Sequence, residues 1–223
     1  MRGGGGSTFG IITSVTVGAF HSVPHITVTA LIGTSPNTDA YWDAVTYIIS
    51  QFPRLSDLGI AAYTSIYPNT TYSGLNVGGF EGIFLIPQLS QDNTTHSLLA
   101  ALAPISDHIN TTYPGQFQIY YNATNWPSFY DWWSQNNGPN NAGADILIGS
   151  RLLGREALTD VTKLQSAIKI AAPLVSGASA YLVGGKGVRD VVPRGGSDAV
   201  VPAWRDALVH FGGYCPFLFF CSY

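Results

Sequence analysis

The chain has 223 residues, 46% hydrophobic and 13% aromatic, enough apolar material for a sizeable core in one large domain or two small ones. Only 10% are charged and the net charge is −3, which excludes the basic stripe that tracking nucleic-acid phosphates requires. No run reaches the roughly 18 uninterrupted apolar residues of a membrane span, so neither nucleic acid nor a membrane is an expected partner, and the oligomeric state stays open.

In chain order, IITSVTVGAF (11–20) and HITVTALIG (25–33) alternate at period two and predict strands. TDAYWDAVTYIISQF (38–52) places Tyr41, Trp42, Val45, Ile48, Ile49 and Phe52 at helical spacing behind Thr38 as N-cap. GIAAYTSIYP (59–68) and GFEGIFLIP (79–87) predict two more strands, joined by a Tyr-rich stretch that reads as a hairpin connection or a rim. A second helix is expected over 95–109, a strand over 116–123, a short aromatic helix or turn over 128–135 and a loop over 136–144. Residues 144–153 are ambiguous between strand and helix, 159–172 predict a helix capped by Thr159 or Asp160, and 179–185 a strand. Paired strands punctuated by helices, without βαβ alternation, point to an α+β fold: an antiparallel sheet covered by helices on one face.

Cys215 and Cys221 both fall in the last nine residues, so no disulfide framework crosses the body. Four N-x-[ST] sequons, at Asn69, Asn93, Asn110 and Asn122, lie in polar stretches suited to glycans and point to a secreted glycoprotein. Met1 is followed by Arg2 and glycines with no apolar signal-peptide core, so a secreted parent is expected to begin upstream.

In RGGGGSTFGIITSVTV, a polyglycine run meets Ser7, Thr8, Phe9 and Gly10 ahead of a strand. Glycines let backbone amides approach an anion closely, which suits pyrophosphate or adenine–ribose contact. GGGGS alone also reads as an engineered linker, but its continuation resembles the R-G-G-G-x-x-x-F-G-[IV]-[IV]-T segment closing the FAD domain of berberine-bridge-enzyme-like oxidases, in the vanillyl-alcohol-oxidase superfamily with its PCMH-type FAD-binding domain. SDAVVPAWRDALVH (197–210) resembles the N-P-A-W-R-x-x-x-x-H segment closing the substrate domain in fungal members, and FPRLSDLG (52–59) and GSRLLGREAL (149–158) look like the same branch. Gly18 and Val201 depart from the lysine and asparagine usual there.

The resemblance implies an FAD-dependent oxidase in which an antiparallel sheet roofs the flavin, a hydride passes from a substrate C–H to FAD, and dioxygen accepts the electrons. It divides the chain into a remnant of the FAD domain (1–20), a substrate-binding domain (21–210) and an atypical tail (211–223), the last read as a gene-model artefact such as an unspliced intron. Gly3, Gly4, Gly5, Gly6, Ser7, Thr8, Phe9, Gly10 and Ile12 are the expected FAD contacts. Neither the flavin-attachment histidine nor the closing Tyr-x-Asn motif has a counterpart, so the chain alone is expected to be inactive, a piece of a parent truncated at both ends. The rival reading is a non-catalytic glycosylated module that uses the same sheet to hold an apolar ligand or partner.

For chemistry, Glu81 sits in an apolar strand on the face of Ile83, where a carboxylate can take a substrate proton. Tyr63 and Tyr67 share a face, and their phenols can line a pocket for a small-molecule substrate. Tyr120 and Tyr121 must point to opposite faces; Tyr121 joins Glu81 and Tyr63 as a catalytic candidate. For each tyrosine, aromatic core or rim is the competing assignment. The five histidines have no metal-ligand spacing, VGGKG (183–187) lacks the rest of a phosphate loop, and no G-x-S-x-G elbow occurs. Arg205 reads as a structural anchor and Trp204 as core.

Overall fold

A computed structural model describes residues 10–137, 146–174, 176–192 and 200–216. Its elements are β1 (His25–Thr34), α1 (Asp39–Ser50), α2 (Phe52–Asp57), β2 (Ala61–Tyr72), β3 (Leu75–Pro87), α3 (Thr95–Thr112), β4 (Gln118–Trp126), α4 (Phe129–Asn136), β5 (Ile146–Gly154), α5 (Arg155–Thr159), α6 (Val161–Ala171), β6 (Ala178–Leu182), α7 (Lys186–Asp190), a 3-10 turn (Pro202–Arg205) and β7 (Ala207–Pro216). The seven strands form one sheet in the order β4-β1-β3-β2-β6-β7-β5, with every pairing antiparallel. The α+β class holds, as does the helix-covered antiparallel sheet.

Helices start where a side chain takes up an orphan backbone donor. The Thr38 hydroxyl accepts from the Tyr41 N–H at 3.1 Å. Thr94 and Ser97 form a reciprocal capping box at 3.1 and 2.8 Å, and Ser128 and Asp160 cap α4 and α6. Pro104 inside α3 cannot donate to the carbonyl four residues back. Next to that gap, Arg54 Nη2 donates to the Ala101 carbonyl at 2.8 Å, so the FPRLSD segment ties α2 to the proline-bearing stretch of α3.

One face of the sheet is buried beneath helices. Ile26, Val28 and Ala30 of β1, Phe80 and Phe84 of β3, Ala62 and Ile66 of β2, Ala180 of β6 and Val209 of β7 pack with Ile48 and Ile49 of α1, Leu55 of α2, Leu98 and Ile109 of α3 and Ile168 of α6. Gly82 interrupts β3 on this face because a Cβ there would lie 2.9 Å from the Phe84 ring and 3.1 Å from the Thr64 methyl.

One expectation needs correction, and the structure adds detail to two others. Residues 11–20 form no strand: alternation alone cannot satisfy a strand's backbone, no described strand pairs with it, and Ile11 and Phe20 are each 95% exposed. The ambiguous 144–153 stretch is strand from Ile146 onward. The division at His210 falls inside β7, which lies between β6 and β5 and puts Phe211 into the core.

Gly177, just before β6, has φ +67°, and a Cβ there would stand 2.1 Å from the Ile66 carbonyl oxygen. Gly177→Ala is therefore expected to cost at least about 2 kcal/mol, from left-handed strain plus backbone displacement. Urea unfolding checks this; an unchanged midpoint would show that the β2–β6 contact gives way freely.

Candidate functional site

The opposite face of the sheet carries the candidate chemistry. Register places Asn122, Thr29, Ile83, Tyr63, Tyr181 and His210 side by side on β4, β1, β3, β2, β6 and β7. The adjacent row is Tyr120, Leu31, Glu81, Ser65, Ser179 and Gly212. Tyr63 is 54% and Tyr120 60% exposed, and Glu81 is also exposed, whereas their neighbours on each strand point into the helix-covered core.

The first row is an aromatic ladder. The Tyr63 and Tyr181 rings are 5.0 Å apart, Tyr181 and His210 6.3 Å, and His210 and Trp204 5.8 Å. Trp204 is half-buried on the 3-10 turn rather than in the core. Arg205 anchors that turn as expected, its Nη1 donating to the Val188 carbonyl at 2.8 Å. Near the start of β1, Trp126 Nε1 donates to Thr27 Oγ1 at 2.9 Å and Phe129 of α4 packs edge-on against His25 at 5.6 Å.

The catalytic candidates divide between the two faces. Glu81 and Tyr63 stand on adjacent strands of the open face, Tyr63 opposite Ile83 and Ser65 opposite Glu81. Tyr67 shares that face one step further along, opposite Gly79. Tyr121 pairs with Ala30 and so points to the covered side, where its phenol bonds to the Ser106 side chain of α3. Burial pushes its pKa up, and the Asp107 charge adds to the rise while the Ser106 bond opposes it. A phenol held in its neutral form on the wrong face does not join Glu81; Tyr120 is the member of that pair on the open face.

Of the expected FAD contacts, Gly3 to Phe9 lie outside the described residues. Gly10 is exposed with φ +153°, a conformation suited to glycine, and Ile12 is 53% exposed. Tyr181 and His210 are the members of the ladder that sequence reasoning did not single out. SAYLVGG announced a strand, but only the pairing of β6 with β2 and β7 brings Tyr181 beside Tyr63 and His210.

Two open clefts lie elsewhere. One of about 420 Å³ is lined by Asn37, Asp39, Trp42, Lys169 and residues 172–174, and one of about 400 Å³ by Gly149, Ser150, Arg151, Ala171, Phe211 and Gly213. Neither is lined by Glu81 or Tyr63. Among the described residues no cluster of three or more His, Cys, Asp or Glu side chains is placed to hold a metal, and no helix is long and apolar enough to cross a membrane.

No family model matches the sequence. An uncharacterized FAD-linked oxidoreductase of Arthroderma benhamiae is 30% identical over 220 residues, 94% of this chain and 36% of that protein. The bifunctional decalin synthase of Penicillium decumbens is 29% identical over 219 residues, 93% of this chain and 34% of that protein. The chain thus spans about a third of the length of the curated relatives it matches. A crystal structure of a VAO-type flavoprotein from Myceliophthora thermophila superposes with a TM-score of 0.71 at 22% identity, over 87% of this chain and 35% of that one. A second VAO-type flavoprotein of that fungus gives 0.61 at 17% identity, over 85% and 33%.

The raised pKa of Tyr121 has a fixed sign. Its folded value lies above the unfolded value of 10.0, so the stability it contributes is present below pH 10 and is lost as pH rises through the folded value. Tyr121→Phe is expected to remove part of the alkaline loss of stability, read as the slope of unfolding free energy against pH above 10; an unaltered slope would place the phenol in solvent.

Proposed function

We propose that this chain, a homologue of fungal FAD-linked oxidoreductases with a VAO-type fold, supplies the substrate-facing wall of a flavin-dependent oxidoreductase. The observation that carries the reading is the open sheet face. It exposes aromatic rings in register with one another and one carboxylate beside them, on a sheet whose other face is committed to the core.

The residues present fit a planar ring. Tyr63, Tyr181, His210 and Trp204 offer flat surfaces for stacking, and Ile83 and Leu31 add apolar area beyond Tyr63 on β3 and β1. Bound FAD would supply the acceptor for a hydride from a substrate C–H, with dioxygen as the final electron acceptor. The chain's own groups then hold a small hydroxylated or heterocyclic substrate against the ladder and exclude water from it. Glu81 takes the proton of the substrate O–H or N–H as the hydride departs, which keeps charge from building on the product. Ser65, its cross-strand neighbour, lies at the spacing at which a hydroxyl can orient the carboxylate or the substrate.

Two outcomes test the proposal. In amide NMR spectra of the full chain titrated with FAD, shifts are expected to concentrate at Tyr63, Glu81, Tyr181 and His210, with residues of α3 and α6 unmoved. Shifts on the helix side would contradict the proposal. In a flavin-loaded chimera in which this chain replaces the matching third of the Arthroderma benhamiae FAD-linked oxidoreductase and which turns over a substrate, Glu81→Gln is expected to lower kcat by about 10²–10⁴ with flavin content unchanged. An unchanged kcat would remove Glu81 from the chemistry.

A further inference from the structure

The four sequons differ in what the fold does with them. Asn93 is half-buried just before the α3 cap, and its Nδ2, the atom a sugar would occupy, donates to the Pro87 carbonyl at 2.9 Å while its own carbonyl accepts from Gln88 at 3.3 Å. Asn69 is exposed at the register shift of β2 between Tyr67 and Thr70, and Asn110 is exposed in the last turn of α3. Asn122 is exposed in the middle of β4, and among the described residues β4 is an edge of the sheet with β1 as its single neighbour. Its side chain shares the open face with Tyr63, from which it is separated by three strand spacings, about 14 Å.

An edge strand offers unpaired backbone donors and acceptors to any other strand, and here the edge borders a face with exposed tyrosines, Tyr120 next to the sequon among them. Natural sheets block such edges with charge, proline or a covering segment. β4, QIYYNATNW, carries no charged residue and no proline. A bulky hydrophilic group at Asn122 would meet that need at the middle of the strand.

We infer that Asn122 is an N-glycosylation site whose glycan shields the β4 edge and borders the open face. The inference rests on the sequon and the sheet edge and does not depend on flavin binding. In the modification, Asn122 Nδ2 forms a bond to the anomeric carbon of the first N-acetylglucosamine of a lipid-linked oligosaccharide. The bond from that carbon to the lipid diphosphate breaks, and one amide proton is released as the diphosphate leaves. The attached sugar is hydrophilic and large compared with the spacing between strands, so a second chain cannot pair along β4.

The test uses the full chain behind a secretion leader in a fungal host, with glycopeptide mass spectrometry and size-exclusion chromatography of wild type, Thr124→Ala and Thr124→Ser. Thr124→Ala destroys the sequon and leaves Asn122 in place, while Thr124→Ser keeps the sequon. Asn122 is expected to be occupied in most molecules of wild type and Thr124→Ser and in none of Thr124→Ala, and Thr124→Ala alone is expected to elute earlier, as associated species. Should Thr124→Ala fail to fold, Asn122→Gln gives the same readout. An unmodified Asn122 in the secreted wild type overturns the site, and a Thr124→Ala protein that elutes like the wild type overturns the shielding role.

Discussion

The register of β3 between β1 and β2 is the constraint on which the rest depends. Because side chains alternate with period two, it sends Phe80, Gly82 and Phe84 to the helices and Glu81 and Ile83 to the other face. A slip of one residue would bury Glu81 among Ile48, Leu98 and their neighbours and expose two phenylalanines, at a cost of several kcal/mol for the unpaired charge alone. The same alternation, passed on through β2 to β6 and β7, aligns Tyr63 with Tyr181 and His210. The core and the candidate site are therefore two consequences of one pairing.

That coupling sets the character of the open face. The helices α1, α2, α3 and α6 cover the sheet on one side, and the other side mixes polar, aromatic and apolar side chains, with Leu31, Tyr63, Glu81 and Tyr120 exposed on it. A ring or a small substrate laid on this surface meets aromatic faces and one carboxylate, with no lysine or arginine in the two rows. The 3-10 turn with Trp204 closes one end of the ladder, and the Arg205 bond to Val188 fixes that turn against α7.

Much of this was legible in the residues because local physics decided it. Thr38 announces a helix start through the donor it satisfies, Asp160 is one of the two caps expected for α6, and the alternation in 25–33, 59–68 and 79–87 announces strands. The shared face of Tyr63 and Tyr67, and that of Glu81 and Ile83, also follows from alternation. Choosing between Tyr120 and Tyr121 did not, because it needs the pairing with β1, a contact about ninety residues away in sequence. Residues 11–20 show the converse: a strand pattern without a described partner stays outside the sheet and exposed. β7 was hidden because the sheet position of Phe211, between β5 and β6, overrides the unremarkable local pattern of ALVHFGG.

The most direct test of the wall is a crystal structure of a chimera. This chain would replace the matching third of the Arthroderma benhamiae FAD-linked oxidoreductase, and the protein would be crystallised with FAD bound. The account expects the flavin ring on the side of the sheet that bears Tyr63, Glu81 and Tyr181. A ring bound against the helix side, or remote from the sheet altogether, would contradict it.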